Sequence, residues 1–592
     1  MKHGIAFPDA IRTEKIKRHT FSENISRGMR SQILILFVAL FGGILFFRIV
    51  FLQIIRGDFY RGLSDSNRIR TSIIYAPRGV IFDRNGIPLI YNIPGFRQTI
   101  GEKTKLLTQE DALEKIAKGD KSLFVDSLRQ YPFKDAMAHV LGYVGQVDKE
   151  QLNSPLYQDY DITDFIGKTG IEYQYEPFLK GINGKRLVEV DASGKEVRIL
   201  GQTDPTPGHD LLLTLDARLQ QSAYDAMKDV HKGAVVVTTP NGEVLALMSK
   251  PSFDPNLFTL TQSYKATNTA YPTVSAILTG ENQPLLDRAI SGTYPPGSTF
   301  KIVMAAGALE SKKIDGSYKV TDKGKITIGP YSYSNWYFSQ YGRTEGEVDV
   351  VKALARSNDI FFYELAAKIG LSTIVETSKN MGVGKKLGID LPGEASGVLP
   401  DEKWKQKNVG EEWYLGDTYI YGIGQGYLLT SPLQVNAWTQ AIANGGKLYK
   451  PHLLKNAREE VIAKVPLSKE DISLIRSGMI GACDTGGTAW PLFQFRIKNS
   501  ELRIDGKNIL PDPQASNSAA LSDYRHISIA CKTGTAQHGT EETLPHAWIT
   551  LYAPAYDPQI IITVLNESSG EGSSEAGPIA KKILESYFGN LH

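Results

Sequence analysis

Apolar positions fall into three regimes along the chain. From Ser31 to Phe47, SQILILFVALFGGILFF carries no charge; Arg48 interrupts it, and IVFLQII extends the apolar run to Ile55. This stretch predicts a helix long enough to cross a hydrocarbon core of ~30 Å, with Arg48 toward one end, where its guanidinium can snorkel to the headgroups. From 56 to 205 the pattern is polar and mixed, with short β-like runs such as RTSIIY and RGVIF. Asp83 to Gly86 (DRNG) joins two apolar runs and predicts a hairpin turn. The charged stretch 101–135 has a helical pattern.

The third regime follows a turn-rich boundary, GQTDPTPGHD, at Gly201 to Asp210. LLLTLDARLQQSAYDAM predicts a strand leading into a helix capped by Asp216. GAVVVTTPNGEVLALMS predicts a hairpin about its Pro-Asn-Gly turn. Near the C-terminus HISIACKTG, HAWITLYAP and QIIITVLNE read as three successive strands, with short connections that favour antiparallel pairing. Glu567 to Gly577 (ESSGEGSSEAG) reads as a flexible loop, and PIAKKILESYF as a last helix. Strands at both ends of this region with helices between them predict an α+β domain.

A chain of 592 residues is too long for one core and predicts two to four domains. The net charge of +2 implies no global field for a polyanion, and no nucleic-acid motif appears. The tail before the apolar run carries Lys2, Arg12, Lys15, Lys17, Arg18, Arg27 and Arg30 against Asp9, Glu14 and Glu23. By the positive-inside rule this end stays cytoplasmic. No small-x-small cleavage site follows the apolar run, so an uncleaved anchor is expected rather than a signal peptide. The predicted layout is a cytoplasmic tail (1–30), a single transmembrane helix (31–55), an extended non-catalytic module (56–205) and a C-terminal domain (206–592) outside the cytoplasm. The two cysteines, Cys483 and Cys531, form no CxxC or Cys/His cluster, which argues against structural zinc. A disulfide is possible, but spacing does not decide it; the expectation is two buried small apolar side chains.

Candidate chemistry begins with a repeated tripeptide. Lys-Thr-Gly occurs at Lys168 to Gly170 and again at Lys532 to Gly534. Ser-x-x-Lys occurs once, at Ser298 and Lys301 in YPPGSTFKIVMAAGALE. Pro295, Pro296 and Gly297 forbid helix upstream, so a helix is expected at or just after Ser298. Positions i and i+3 share a face, which would let the Lys301 ammonium fold back on Ser298 Oγ. The helix is apolar nearly all round and therefore predicted to be buried, which would lower the pKa of Lys301 toward that of a general base. The plainer alternative is that Lys301 reaches solvent and Ser298 only caps the helix. Ser357, Asn358 and Asp359 lie between two helical patterns, where a helix N-cap is the default reading. CKTGTAQ falls at a predicted strand end, whose edge can present Lys532, Thr533 and Thr535 to a cleft.

In this order the three elements match the motif set of penicillin-binding proteins and class A β-lactamases. The chain resembles a class B penicillin-binding protein, a monofunctional D,D-transpeptidase. The likeness runs through FLQIIRGDFYRGLSDSNRIR, APRGVIFDRNGIPL, GIDLPGEASGVLP and GIGQGYLLTSPLQ. It implies an α+β chain with a single N-terminal transmembrane helix, an extended β-rich pedestal of the dimerisation type and a transpeptidase domain whose antiparallel sheet is flanked by helices. GKTGIEYQYEPFLKGINGK resembles a pedestal segment, which makes Lys168 to Gly170 the decoy copy.

The resemblance also implies roles. Ser298 would be the nucleophile, Lys301 its base, Ser357 a proton relay and Asp359 the group that orients it. Lys532, Thr533, Gly534 and Thr535 would bind the carboxylate of a stem peptide ending in D-Ala-D-Ala, and β-lactams would trap Ser298. The middle motif, with Asp359 in third place, looks like the elongation type, similar to penicillin-binding protein 2. Implied partners are the membrane, a SEDS-type glycosyltransferase and other elongation-complex proteins; no cofactor or nucleic acid is implied. Some elongation-type relatives bind zinc near a Gly-His-Gly, but Thr344, Glu345 and Gly346 stand there in this chain, so no metal is expected. A D,D-carboxypeptidase or β-lactamase-type hydrolase, a bifunctional synthase and a non-catalytic scaffold activating a membrane glycosyltransferase remain as alternatives.

Overall fold

The computed structural model describes residues 27–100, 102–120, 122–191, 196–260, 264–266, 268, 270–498, 524–540 and 542–589. The basic tail up to residue 26 lies outside the described residues. The chain divides into two compact units, one of residues 1–73 with 185–203 and one of residues 74–184 with 204–592.

In the first unit a helix, Arg27–Val50, runs on through a π-helical turn, Phe51–Ile55. Its segment Ser31–Ile55 has a mean hydropathy of 2.7 and is not buried against protein, so it is long and apolar enough to cross a membrane. A second helix, Gly57–Arg68, leads to a three-stranded sheet in which Gly184–Val190 lies between Ile69–Ile74 and Glu196–Thr203. Glu189 in the middle strand is held between Arg68 and Arg198.

In the second unit the Asp83–Gly86 turn forms as the sequence predicts. Ile81–Phe82 pairs antiparallel with the strand Pro88–Ile100. Asp83 accepts from the backbone N–H groups of Asn85 and Ile87, both at 2.8 Å. The stretch 101–135 departs from its helical pattern. Among the described residues there, only Gln109–Ala117 is α-helical, between strands Lys103–Thr108 and Leu123–Gln130, both paired with Pro88–Ile100. A long neighbouring strand offers these segments backbone partners, and cross-strand pairing overrides weak local helix preference.

The C-terminal part is built on five antiparallel strands. Helix α1, Ala217–Ala226, is capped by Asp216 as expected. Strands β1, Gly233–Thr238, and β2, Val244–Lys250, form the predicted hairpin. Four helices used below follow: α2, Lys301–Glu310; α3, Val350–Arg356; α4, Asp359–Asn380; and α5, Pro432–Ala443. After α6, Lys469–Ala482, come β3, Ala530–Ala536, β4, His546–Ala553, and β5, Ile560–Asn566, and the chain closes on α7, Gly577–Phe588. The sheet order is β2-β1-β5-β4-β3, which leaves β3 at an edge.

Both faces of this sheet are buried, and strand alternation sorts residues between them. Ala530, Ala536, Trp548 and Leu565 pack with helices α2 and α4. Cys531, Ile549, Leu551 and Val564 face the other way, toward α1 and α7. The stretch Glu567 to Gly577 is not loose. Gly572 and Ala576 are buried, and Glu567 accepts from Arg288 Nε at 2.8 Å and from the Tyr294 hydroxyl at 2.5 Å.

Cys483 and Cys531 are joined in a disulfide, against the expectation of two unpaired apolar side chains. The end of α6 and strand β3 bring the two Cα atoms to 5.9 Å, within bonding reach, although 48 residues separate them in sequence. Closing a loop of that length restricts the unfolded chain by about 4 kcal/mol on the chain-entropy scale. The double variant Cys483→Ala/Cys531→Ala is therefore expected to lose about 2–4 kcal/mol of stability, read as a lower urea midpoint with a slope that stays the same or steepens as the unfolded chain expands.

Candidate active site

Ser298 stands where two constraints meet. Pro295 and Pro296 block helix before it, and a 3₁₀ turn, Gly297–Phe300, delivers the chain into α2. Gly297 has φ +53° and donates its N–H to Gly424 O at 2.9 Å. A Cβ at Gly424 would stand 2.1 Å from Gly297 O, so the GIGQG segment can press on the serine turn only without a side chain there. Ser298 itself is half-buried, while every residue of α2 from Lys301 to Leu309 is buried.

Lys301 is fully buried. Its Nζ donates to Asp359 Oδ1 at 2.6 Å, to Ser357 O at 2.9 Å and to Ser357 Oγ at 3.2 Å. The expected contact with Ser298 Oγ is not among these. An ammonium cut off from water needs an anion more than it needs a neutral hydroxyl one turn away, and the 357–359 turn supplies it. Burial pushes the Lys301 pKa below the ordinary lysine value, and the Asp359 carboxylate offsets part of that fall.

The turn itself is unusual. Helix α3 ends on Ser357, which has φ +54° and ψ 40°. A left-handed conformation is uncommon for a residue other than glycine. Glycine would relieve the backbone but would remove the hydroxyl that meets Lys301. The helix cap predicted for this motif is made by Asn358: its Oδ1 accepts from Phe361 N–H at 2.9 Å, and α4 begins at Asp359. Asp359 Oδ2 accepts from Trp336 N–H at 3.0 Å, so both its oxygens are engaged.

The two Lys-Thr-Gly copies have different surroundings. Lys168 is only partly buried, donating to Gln151 Oε1 at 2.5 Å with Asp148 Oδ2 at 3.7 Å. Lys532 is fully buried and donates to Thr533 O at 3.0 Å. Burial first, and then the nearby Lys301 ammonium, push its pKa far down. The copy lies inside β3 rather than at the strand's end. Strand alternation puts Lys532 and Gly534 on the face of Ala530 and Ala536, toward α2, and Thr533 and Thr535 on the face of Cys531. A Cβ at Gly534 would meet Thr299 Cγ2 at 3.0 Å and Pro296 O at 3.1 Å, which is why the strand can lie flush against the serine turn. Thr533 Oγ1 lies 2.7 Å from Thr488 Oγ1; Thr535 is exposed, and its Oγ1 accepts from Gly572 N–H at 3.4 Å.

The fold thus gathers Lys301, Ser357, Asp359 and Lys532 about one buried centre and sets Ser298 at the start of the same helix. Sequence reasoning missed Thr488, Trp336 and the buried Asp322, none of which belongs to a local motif. Where a metal was considered, Glu345 pairs with Arg356 at 2.9 Å. Among the described residues there is no group of three His, Cys, Asp or Glu placed to hold a metal ion.

Comparison with known proteins gives a family. Residues 233–585 match the model of the penicillin binding protein transpeptidase domain, and residues 121–213 match that of the penicillin-binding protein dimerisation domain. The peptidoglycan D,D-transpeptidase MrdA of Escherichia coli K12 is 32% identical, over 94% of this chain and 93% of the relative. The solved complex of penicillin-binding protein PBP2 with MreC from Helicobacter pylori is similar with a TM-score of 0.69 at 27% identity, over 87% of this chain and 98% of that one. A chain solved in a peptidoglycan synthase complex that coordinates polymerization and crosslinking has a TM-score of 0.68 at 28% identity, over 95% of this chain and 99% of that one.

The electrostatics of Lys301 lead to a pH test. Asp359 is what holds the lysine's proton against burial. Asp359→Asn removes that support, so the Lys301 pKa falls further and the neutral amine is present at lower pH. The acidic limb of the acylation rate, measured with a fluorescent penicillin across the pH range, is expected to move to lower pH even as the maximal rate drops. A limb that stayed in place or moved upward would contradict the assignment.

Proposed function

The chain belongs to the penicillin-binding protein transpeptidase family, and we propose that it is a membrane-anchored peptidoglycan D,D-transpeptidase working through an acyl-enzyme on Ser298. The observation that carries this reading is the buried Lys301, held by Asp359 and Ser357 at the head of the helix that Ser298 opens. A lysine depressed by burial is suited to take a serine proton. The partial positive charge at the start of α2 favours the alkoxide that results.

In this mechanism Ser298 Oγ attacks the penultimate carbonyl of a stem peptide ending in D-Ala-D-Ala, and its proton passes to neutral Lys301. The backbone N–H groups of Ser298 and Thr535 stabilise the oxyanion, a contribution of ~10²–10³ in rate for each donor. The C–N bond breaks, and the departing D-Ala amine receives a proton relayed through Ser357, which Asp359 helps orient. Lys532, with Thr533, Gly534 and Thr535, receives the terminal carboxylate. Two lysines of like charge cannot both stay ionised in so dry a site, so the substrate's anion supplies the partner that Lys532 lacks. The amine of a neighbouring stem then attacks the ester, which forms the cross-link and frees the serine.

The apolar helix Ser31–Ile55 anchors the protein, with the basic tail cytoplasmic and the catalytic domain outside. Its partners in this reading are a SEDS-type glycosyltransferase that makes the strands to be joined, and other elongation-complex proteins; support comes from similar chains solved with MreC and in a peptidoglycan synthase complex. Gly42 and Gly43 in the anchor have nothing within 4 Å of an added Cβ and allow a second membrane helix to approach closely.

Two experiments test this reading. Labelling with a fluorescent penicillin followed by peptide mass spectrometry is expected to place the adduct on Ser298 alone, and Ser298→Ala to abolish it; an adduct elsewhere would sink the assignment. Replacing residues 33–55 with an unrelated single-pass helix of the same orientation is expected to leave penicillin labelling intact while weakening co-purification with the glycosyltransferase. Full association in that chimera would mean that the anchor is only a tether.

A further inference from the structure

The turn that carries Ser357 and Asp359 is fastened to a carboxylate far away in sequence. Asp322 ends the strand Lys319–Asp322 and is buried, with 3% of its surface exposed. Among the described residues it forms no salt bridge. Its charge is met by four N–H groups: Gly324 N–H donates to Oδ1 at 2.7 Å, and Asn335 Nδ2, Asn358 Nδ2 and Glu345 N–H donate to Oδ2 at 2.9, 2.8 and 3.0 Å. Asp322 therefore has every donor an ionised carboxylate needs.

Both amides are used at each end. An acceptor-only carboxylate turns each NH₂ toward itself and so turns each amide oxygen outward. Asn335 Oδ1 then accepts from Asp359 N–H at 3.1 Å, and Asn358 Oδ1 from Phe361 N–H at 2.9 Å. The residue after Asn335, Trp336, donates its N–H to Asp359 Oδ2. The backbone and one carboxylate oxygen of Asp359 are thus set from Asp322, and the other oxygen faces Lys301.

We infer that Asp322 is a positioning residue for acylation: through Asn335 and Asn358 it fixes the first turn of α4 and the direction in which Asp359 and Ser357 meet Lys301. This rests on the reading of Lys301, Ser357 and Asp359 as acylation machinery. Charge and shape are both required. An asparagine at 322 has one oxygen and one NH₂, so whichever way it turns, donor faces donor at Gly324 or at the two amides.

The test uses the full-length protein in detergent and stopped-flow reaction with a fluorescent penicillin, which separates the non-covalent dissociation constant from the acylation rate constant. Asp322→Asn is expected to lower the acylation rate constant about tenfold to a hundredfold, the loss that follows small misplacement of a reacting group. The dissociation constant should change by less than about threefold, because the binding groups on β3 are untouched. On an Asp359→Asn background the same change should cost much less, since no carboxylate is left to aim. If Asp322→Asn does not fold, Asn335→Ala cuts one of the two links and carries the same expectations. A lower melting temperature with an intact acylation rate constant overturns the inference, as do losses that multiply fully with Asp359→Asn. An Asp359→Asn protein that acylates normally overturns the reading of the site itself and this inference with it.

Discussion

A lysine in the middle of an apolar helix must find an anion or give up its proton, and the catalytic part of this chain is arranged around that demand. Helix α2 is buried along its length, so Lys301 cannot reach water, and isolating a charge there would cost many kcal/mol. The answer is a turn from a different part of the chain that brings one carboxylate and one hydroxyl to the ammonium. Because that turn must arrive at a fixed distance, Ser357 sits in a backbone conformation glycine would adopt more readily. Asn358 and Asn335, whose amides are oriented by Asp322, then hold it there.

The second wall of the site follows from the sheet. An edge strand has unpaired backbone groups on its free side, which open-sheet proteins ordinarily protect or use. Here β3 lies against the serine turn, and the close approach depends on Gly534 and Gly297 having no side chains in the way. Alternation along the same strand sends Lys532 to the helix face and Cys531 to the other, where it bonds to Cys483 at the end of α6. One strand therefore carries a buried lysine on one face and a covalent fastening on the other, one residue apart.

The nearness of Lys301 and Lys532 has a chemical consequence. The Lys301 ammonium weakens the hold of Lys532 on its proton, and burial acts in the same direction on both. A substrate that brings a carboxylate restores charge balance where it binds, so binding and readiness for proton transfer are linked by electrostatics alone.

Much of this was legible in the residues. The apolar run, the Asp216 cap, the 233–250 hairpin and the three C-terminal strands form where periodicity and turn chemistry put them, because those signals act over a few residues. Ser298 with Lys301 was singled out by spacing, and the Ser357 motif and the second Lys-Thr-Gly by their resemblance to a known family. Tertiary structure decided what spacing could not. It turned Lys301 from Ser298 toward Asp359, gave the cap to Asn358, drew 101–135 mostly into strands and paired two cysteines 48 residues apart. It also brought Asp322 to Asn358 across 36 residues. The physical reason is the same in each case: a buried charge, an unpaired strand edge or a thiol is satisfied by whichever group the closed chain carries to it, and that identity is not written in its neighbours.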